Sequence, residues 1–502
     1  MSGEIPSFSG IYRRGEVIRN RSLFYKKPVE DLLRDSSDEQ RRMRRLLGPW
    51  NLVALGIGGV IGAGIFVITG QAAAQYAGPA ISISFLISGI ACGFAGLCYA
   101  ELASVIPLSG SAYTYAYASL GELTAWIIGW DLILEYLFAA STVAGGWSGY
   151  VISFLGDMGI AVPSALAGAP LRHTIMEGWQ PTGAILNLPA VLIVLVLTIL
   201  LVFGVRGSAR FNNAIVLVKL TVIMLFICFG VFYVRSDNWI PFIPNNTGIF
   251  GQYGFSGILR GAAVVFFAYL GFDAVTTAAQ ECRNPQKDMH KGVLGSLLLS
   301  TVLYVLVALV LTGIVRYDLL LVPDPIAFGV DAAGPGLLWL RPLIKIGAIA
   351  GLSSVILVVL FGQSRILFTM AADGLLPIQL ARVHSRFRTP YVTTIVTGVS
   401  GAVLAATLPI SVLGEMVSVG TLFAFAVVCL GVLVLRHTDP DLPRPFKVPG
   451  GPIVPVLGVS ISLLQMFFLP MVTLLRLVVW MAIGLGVYFS FGIRHSAIRI
   501  ND

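Results

Sequence analysis

Apolar runs of about 18 residues or more recur along the whole chain, and nothing else in the sequence restricts its fold as strongly. A run of that length is what an α-helix needs to cross the ~30 Å hydrocarbon core of a bilayer. Twelve are present, at 50–76, 79–104, 121–155, 185–205, 208–234, 255–281, 291–315, 342–371, 391–408, 412–435, 453–470 and 472–493. In hydrocarbon every backbone N–H and C=O must find an internal partner, so these runs predict helices. The expected fold class is an all-α polytopic membrane protein with twelve transmembrane helices. Composition agrees: 56% of the residues are hydrophobic and 12% charged, roughly half the charge of a soluble domain.

The net charge of +8 does not point to nucleic acid, because the basic residues are not gathered into one patch. Eleven of the 33 Lys and Arg precede Leu47, and most others sit in short loops between apolar runs. With the N-terminus placed inside, 25 fall on the inner side and five (Arg172, Arg235, Arg316, Arg341, Arg476) on the outer. The positive-inside rule then puts both ends in the cytoplasm. The first 48 residues are polar and carry no apolar core of a cleavable signal, so the first span is expected to direct insertion. Cys92, Cys98, Cys228, Cys282 and Cys429 have neither metal spacing nor a disulfide framework. His173, His290, His384, His437 and His495 are read as loop or chain-end residues, and no H-E-x-x-H occurs. No metal, cofactor or enzymatic chemistry is expected.

Two spans do not read as continuous helices. GIGGVIGAGIF at 56–66 carries five glycines in nine residues, each costing about 1 kcal/mol of helix stability relative to alanine. FFAYLGFD at 266–273 places a glycine and a carboxylate mid-span. Irregular backbone at that depth has to line a cavity or be buried in protein. The second interruption falls five spans after the first, so the two helices run in opposite directions. That spacing suits an inverted repeat with binding at the breaks. The other reading of the first span is a packing face, since Gly58 and Gly62 form a G-x-x-x-G.

The stretch Trp50–Phe66 resembles the first helix of the amino acid–polyamine–organocation transporters, within them the cationic amino acid transporter branch of bacterial twelve-helix type. GWDLILEY at 129–136, GGWSGY at 145–150, FFAYLGFDAVTTAAQE at 266–281 and RPFKVPGGPIVPVLG at 444–458 fit the same branch, and the resemblance spans roughly residues 46–490. It implies a LeuT-like fold: two inverted five-helix repeats plus two extra helices, with helices 1 and 6 broken. The corresponding division is a cytoplasmic tail (1–48), a first repeat (49–234), a second, inverted repeat (255–435), two further helices (453–493) and a cytoplasmic tail (494–502). It also implies alternating access and L-amino acid substrates at the cell membrane.

A zwitterionic substrate needs donors for its carboxylate and acceptors for its ammonium. Ile61, Gly62, Ala63, Gly64 and Ile65 sit where the first helix would restart, with free N–H groups and the positive end of a dipole. Carbonyls around Phe266, Phe267 and Leu270 would end the first half of the sixth helix. In this family the aromatic at Phe267 acts as an inner gate. Glu135 lies about 21 Å into the third span. An ionisable residue at that depth is a functional candidate, and the resemblance places it by the pocket; a neutral carboxyl bonded to neighbouring backbone is the other reading. Asp131, one turn earlier, is read as structural. Asp273 either stabilises the unwound loop or senses substrate.

Lys219 lies near 18 Å into the fifth span, too deep to snorkel easily. Desolvation disfavours the charged form of a lysine held there, which suits a group that gains and loses a proton; a permanently charged tether is the alternative. Proton-coupled members of the family carry a lysine at this place. Ser353 and Ser354, in the eighth span, would face either a sodium ion or the Lys219 ammonium, and Ile356 would wall the side-chain pocket. The segment 365–377 (RILFTMAADGLLP) reads as an interfacial amphipathic stretch.

The function expected is therefore secondary active transport of L-amino acids by proton symport, the alternatives being a sodium-coupled carrier or an amino acid/polyamine exchanger. Expected partners are the L-amino acid, protons, membrane lipid and a small accessory membrane protein, with no nucleic acid and the oligomeric state open.

Overall fold

The computed structural model describes residues 23–27, 48–106, 111–174, 178–204, 209–277 and 282–496. Helix occupies each of the twelve apolar runs. In chain order the α-helices are α1 (Pro49–Val60), α2 (Thr69–Ala72), α3 (Ile81–Val105), α4 (Ser111–Ser119), α5 (Glu122–Asp157), α6 (Leu188–Phe203), α7 (Ala209–Gly230), α8 (Gly254–Val265) and α9 (Ala274–Thr277). They continue with α10 (Pro285–Ile314), α11 (Pro325–Ala333), α12 (Arg341–Ala372), α13 (Tyr391–Thr407), α14 (Ile410–Thr438), α15 (Ile453–Phe468), α16 (Met471–Val487) and α17 (Ile493–His495). Among the described residues, seven helical segments are long and apolar enough to cross a bilayer and five shorter ones are apolar. The chain is a largely helical, multi-pass membrane protein.

Proline opens α1, α10 and α11 and stands second in α6 and α12, where its missing N–H has no intrahelical partner to lose. The longest helix, α5, has 36 residues, about 54 Å at 1.5 Å each, and forms the spine. It packs on α12 and α14, while α10 packs on α1 and α3. Their meeting faces are rich in Gly, Ala, Ser and Thr, which let helices approach closely where lipid offers no hydrophobic drive. Large apolar side chains face outward instead, as Leu192, Val196 and Ile199 do on α6 and Leu475, Val478 and Val479 on α16.

The RPFKVPGG motif has a structural task. Glu101, buried at the end of α3, pairs with Arg436 and accepts from the Val448 N–H at 2.7 Å. Arg444 donates to the carbonyls of Leu435, Asp439, Pro440 and Leu442. The loop between α14 and α15 is thereby folded back onto α3. On the same side, Leu23 and Tyr25 accept from the N–H groups of Leu123 and Glu122 at 3.0 Å each. They cap the first turn of α5, whose N–H groups have no intrahelical partner. Lys27 reaches Asp373 at 3.7 Å.

Some expectations require correction. Residues 365–372 continue α12 without interruption, so that part of 365–377 is the end of a spanning helix and not a separate interfacial stretch. α10 begins at Pro285, six residues before the expected span, because Pro285 suits a first helical position. His290 therefore lies in the first turns of α10, and His437 lies in the last turn of α14, which runs on to Thr438; neither is in a loop. A β-hairpin pairing Leu171–Thr174 with Gly178–Pro181, and the short helices α4 and α11, lie outside the apolar runs and were not anticipated. Residues 278–281 of the sixth run lie outside the described residues.

Candidate functional site

The first span is interrupted at Ile61 and Gly62. α1 ends at Val60, and Ile61 takes an extended conformation (φ −76°, ψ 102°). Helix resumes as a wide π-type turn over Gly64–Ile68, passes through α2 and ends in a second π-type turn, Ala73–Ala77. Among the described residues, no group accepts from the N–H of Gly62, Ala63, Gly64 or Ile65. Four successive free donors at a helix start are an arrangement that favours negative charge.

The second interruption follows α8. The chain tightens into a 3-10 turn over Phe266–Tyr269, Leu270 is extended, and Gly271 adopts φ +102°, a left-handed conformation suited to glycine. Ser418 on α14 secures the turn by accepting from the Phe267 N–H at 3.2 Å and donating to the Val264 carbonyl at 2.8 Å. The two interruptions touch backbone to backbone. A Cβ added to Gly59 would lie 2.9 Å from the Gly271 carbonyl oxygen, and one added to Gly64 would overlap Ala268. The Tyr304 hydroxyl of α10 lies 2.7 Å from the Val60 carbonyl and 2.5 Å from that of Ala268, so one proton serves a carbonyl of each break.

Lys219, on α7, is fully buried and donates to the carbonyls of Gly58 at 2.5 Å and Ile61 at 2.8 Å. No carboxylate among the described residues pairs with it. Lys345 is equally buried, yet it reaches the Asp157 carboxylate at 2.6 Å. One buried lysine has a counter-charge; the other is held only by carbonyls that the break in the first span has freed.

A cavity of about 40 Å³ lies between the interruptions. Gly59, Gly62, Ala63 and Gly64 line one side, Phe267, Leu270 and Gly271 another, Val355, Val358 and Val359 of α12 a third, and Tyr136 and Val143 of α5 the fourth. The volume admits little more than a water or two, so the site is closed in this conformation.

The lining separates the expected residues into two groups. Gly62, Ala63, Gly64, Phe267 and Leu270 border the cavity. Ile356 does not: it is buried, and its neighbours Val355 and Val359 form the wall instead. A single residue turns a helix by 100°, enough to move a side chain from the lining into the packing. Ile61, Ile65 and Phe266 are buried outside the lining; Ile61 contributes its carbonyl to Lys219, and Phe266 meets Phe425 edge to face at 5.4 Å. Ser354 donates to the Gly351 carbonyl, and Ser353 donates to Ile349 and accepts from Trp147. Neither hydroxyl bonds Lys219, because the helix's own carbonyls are nearer.

Glu135 is buried behind the lining with one carboxylate oxygen unpartnered. Asp131 has both oxygens unpartnered, so the structural role expected of it finds no support in its hydrogen bonding. Asp273 is linked to the cavity through Tyr136, whose hydroxyl donates to its Oδ2 at 3.2 Å. Sequence reasoning overlooked Tyr136, although it closes the quoted GWDLILEY, and also Tyr304 and Ser418, which carried no signal beyond a polar group in an apolar run. Among the described residues, no cluster of three or more His, Cys, Asp or Glu could hold a metal.

Comparison with known proteins accords with this geometry. The family model for amino acid permeases matches residues 47–488. The methylthioribose transporter of Bacillus subtilis is 46% identical over 478 residues, covering 95% of this chain and 99% of that protein. The branched-chain amino acid permease BcaP of the same organism is 45% identical over 479 residues, with 95% and 99% covered. The vacuolar cationic amino acid transporter 4 of Arabidopsis thaliana is 38% identical over 423 residues, 84% of this chain and 68% of that one. The chain belongs to the amino acid permease family, whose members are transporters and not enzymes.

Proposed function

We propose that this protein is a secondary active transporter that moves small and medium neutral L-amino acids across the cell membrane by proton symport. The observation that carries the reading is the joining of two interrupted helices around one cavity, with a buried lysine bound to the carbonyls of the first break. The free N–H groups at Gly62–Ile65 suit the substrate carboxylate, and the valines, Leu270 and Phe267 suit an apolar side chain. The architecture we infer is LeuT-like, with twelve spans, repeats over 49–234 and 255–435, and both ends in the cytoplasm. Breaks in spans one and six, five apart and opposite in direction, support it.

Protonated Lys219 would tether α7 to the first break; release of the proton would loosen that tether and favour the opposite-facing state. A sodium-coupled mechanism is disfavoured because Lys219 already occupies the Gly58 and Ile61 carbonyls. A polyamine exchanger is disfavoured because no carboxylate among the described residues lines the cavity. Methylthioribose, carried by one relative, has no carboxylate for the free N–H groups. Uptake of labelled L-leucine by purified protein in liposomes, competed by all twenty amino acids and by methylthioribose, tests the reading. Competition by neutral L-amino acids is expected; competition by arginine and lysine alone, or by methylthioribose alone, contradicts it.

A further inference from the structure

Several basic side chains of this fold find acids: Arg436 pairs with Glu101, Lys345 with Asp157 and Lys27 with Asp373. The loop between α12 and α13 does not follow that pattern. It carries Arg382, Arg386 and Arg388, all exposed, and no Asp or Glu occurs from Gly374 to Gly414. Among the described residues none of the three forms an ion pair. In sequence, Arg206 and Arg210 follow closely after α6, again with no acid from Gly178 to Ser236.

The loop is nonetheless firmly built. Nδ1 of His384 accepts from the N–H groups of Arg386 and Phe387 at 3.2 and 3.3 Å, and the Arg388 N–H donates to the His384 carbonyl at 2.9 Å. Arg388 takes φ +58°, a left-handed conformation uncommon outside glycine. The turn leans on the end of α6: Phe387 meets Phe203 edge to face at 5.1 Å, and the Thr389 hydroxyl donates to the Val202 carbonyl at 2.7 Å. Large apolar side chains stand exposed beside the charge, Ile378 at 65%, Val383 at 46% and Phe203 at 57%. Further along the helices Ile199 on α6 and Ile395 on α13 also face outward.

We infer that this loop and the end of α6 hold an anionic phospholipid of the leaflet they face, which is the cytoplasmic one in the proposed orientation. Guanidinium groups meet phosphate oxygens as a fork of donors, and three of them without an acid call for a ligand of net negative charge. The exposed apolar side chains continue into the lipid-facing sides of α6 and α13, where acyl chains lie. A soluble phosphate-bearing partner matches the charge and leaves the apolar half unmatched. The two helices pack on each other and on α5 and α12, so the lipid grips a packed group of helices and not a free strand of chain.

The test uses the purified full chain in detergent, incubated with an equimolar mixture of phosphatidylglycerol and phosphatidylcholine and examined by native mass spectrometry. This reads the lipid contact whatever the orientation in the membrane, so contact and orientation are tested separately. Wild type is expected to retain phosphatidylglycerol at least fivefold over phosphatidylcholine. A basic residue beside an anionic lipid surface is worth about fivefold in binding, so the triple variant Arg382→Gln, Arg386→Gln, Arg388→Gln is expected to bind phosphatidylglycerol at least tenfold more weakly. The double variant Lys447→Gln, Arg494→Gln removes exposed charge elsewhere on the same side and is expected to keep the wild-type selectivity. Unchanged selectivity in the triple variant overturns the inference and leaves the patch to a soluble partner. An equal loss in the double variant overturns it as well, because the attraction would then belong to the net charge. So does displacement of the lipid by inorganic phosphate at the lipid's own concentration, which would mean that the acyl chains contribute nothing. If the triple variant does not fold, Arg386→Gln alone decides, with a three- to fivefold loss expected and unchanged selectivity contradicting the site.

Discussion

Replacing Lys219 separates a proton carrier from a structural peg. Its ammonium donates to two carbonyls, at 2.5 and 2.8 Å. A hydrogen bond from a charged donor is worth about 1.5–3 kcal/mol and one between neutral groups about 0.5–1.5. Losing the proton therefore weakens the pair of bonds by roughly 2–3 kcal/mol. Since 1.4 kcal/mol is tenfold, the balance between two conformations shifts by about 30- to 150-fold. That is enough to redirect alternating access from one face to the other. Lys219→Ala removes the tether in both states; Lys219→Arg retains it in both, because arginine keeps its proton throughout. Each variant is expected to lose proton-driven accumulation of labelled leucine in proteoliposomes, while wild-type uptake rises as the external pH falls and ignores sodium. A Lys219→Arg protein that concentrates leucine as well as wild type would refute the reasoning and turn attention to Glu135 or Asp273.

Three further outcomes follow from the packing. Tyr136→Phe removes the hydrogen bond to Asp273, and loss of one hydrogen bond, about 0.5–1.5 kcal/mol, should raise the leucine KM roughly two- to tenfold; an unchanged KM would detach Asp273 from the site. Gly64→Ala sets a methyl group against Ala268, and overpacking of about 1–3 kcal/mol should lower the melting temperature together with transport; normal stability and uptake would show that the helices separate freely there. Glu101→Gln leaves the largely buried Arg436 without its counter-charge, a loss of about 3–5 kcal/mol that should appear as a sharply reduced melting temperature with the KM of the surviving protein unaltered.

The helices were legible because hydrocarbon leaves the backbone no alternative, so length and apolarity alone located the runs. The interruptions were legible for a related reason: five glycines in nine residues at 56–64 weaken a helix by about 1 kcal/mol each, and Gly271 stands beside a carboxylate in mid-span. Lys219 stood out as a lone lysine deep in its run. The wall of the cavity was not legible at that level. Ile356 and Val355 are equally apolar neighbours, and only the rotation of α12 decides which one faces inward. Ser418 was hidden because a Ser hydroxyl in a membrane helix usually bonds its own backbone, as Ser354 does here; Tyr136 and Tyr304 were hidden because a long phenol reaches a partner on another helix, which only the packing decides. The capping of α5 by Leu23 and Tyr25 uses main-chain carbonyls, which any residue supplies, so no side-chain pattern announces it.

Proton movement coupled to the amino acid is the central claim, and one measurement addresses it directly. Liposomes containing the protein and loaded with a pH-sensitive dye are placed in sodium-free medium, and L-leucine is added outside while labelled uptake is followed in parallel. The account predicts that the lumen acidifies as leucine enters, with no such change in Lys219→Ala liposomes. Leucine entry without any change in internal pH would contradict it.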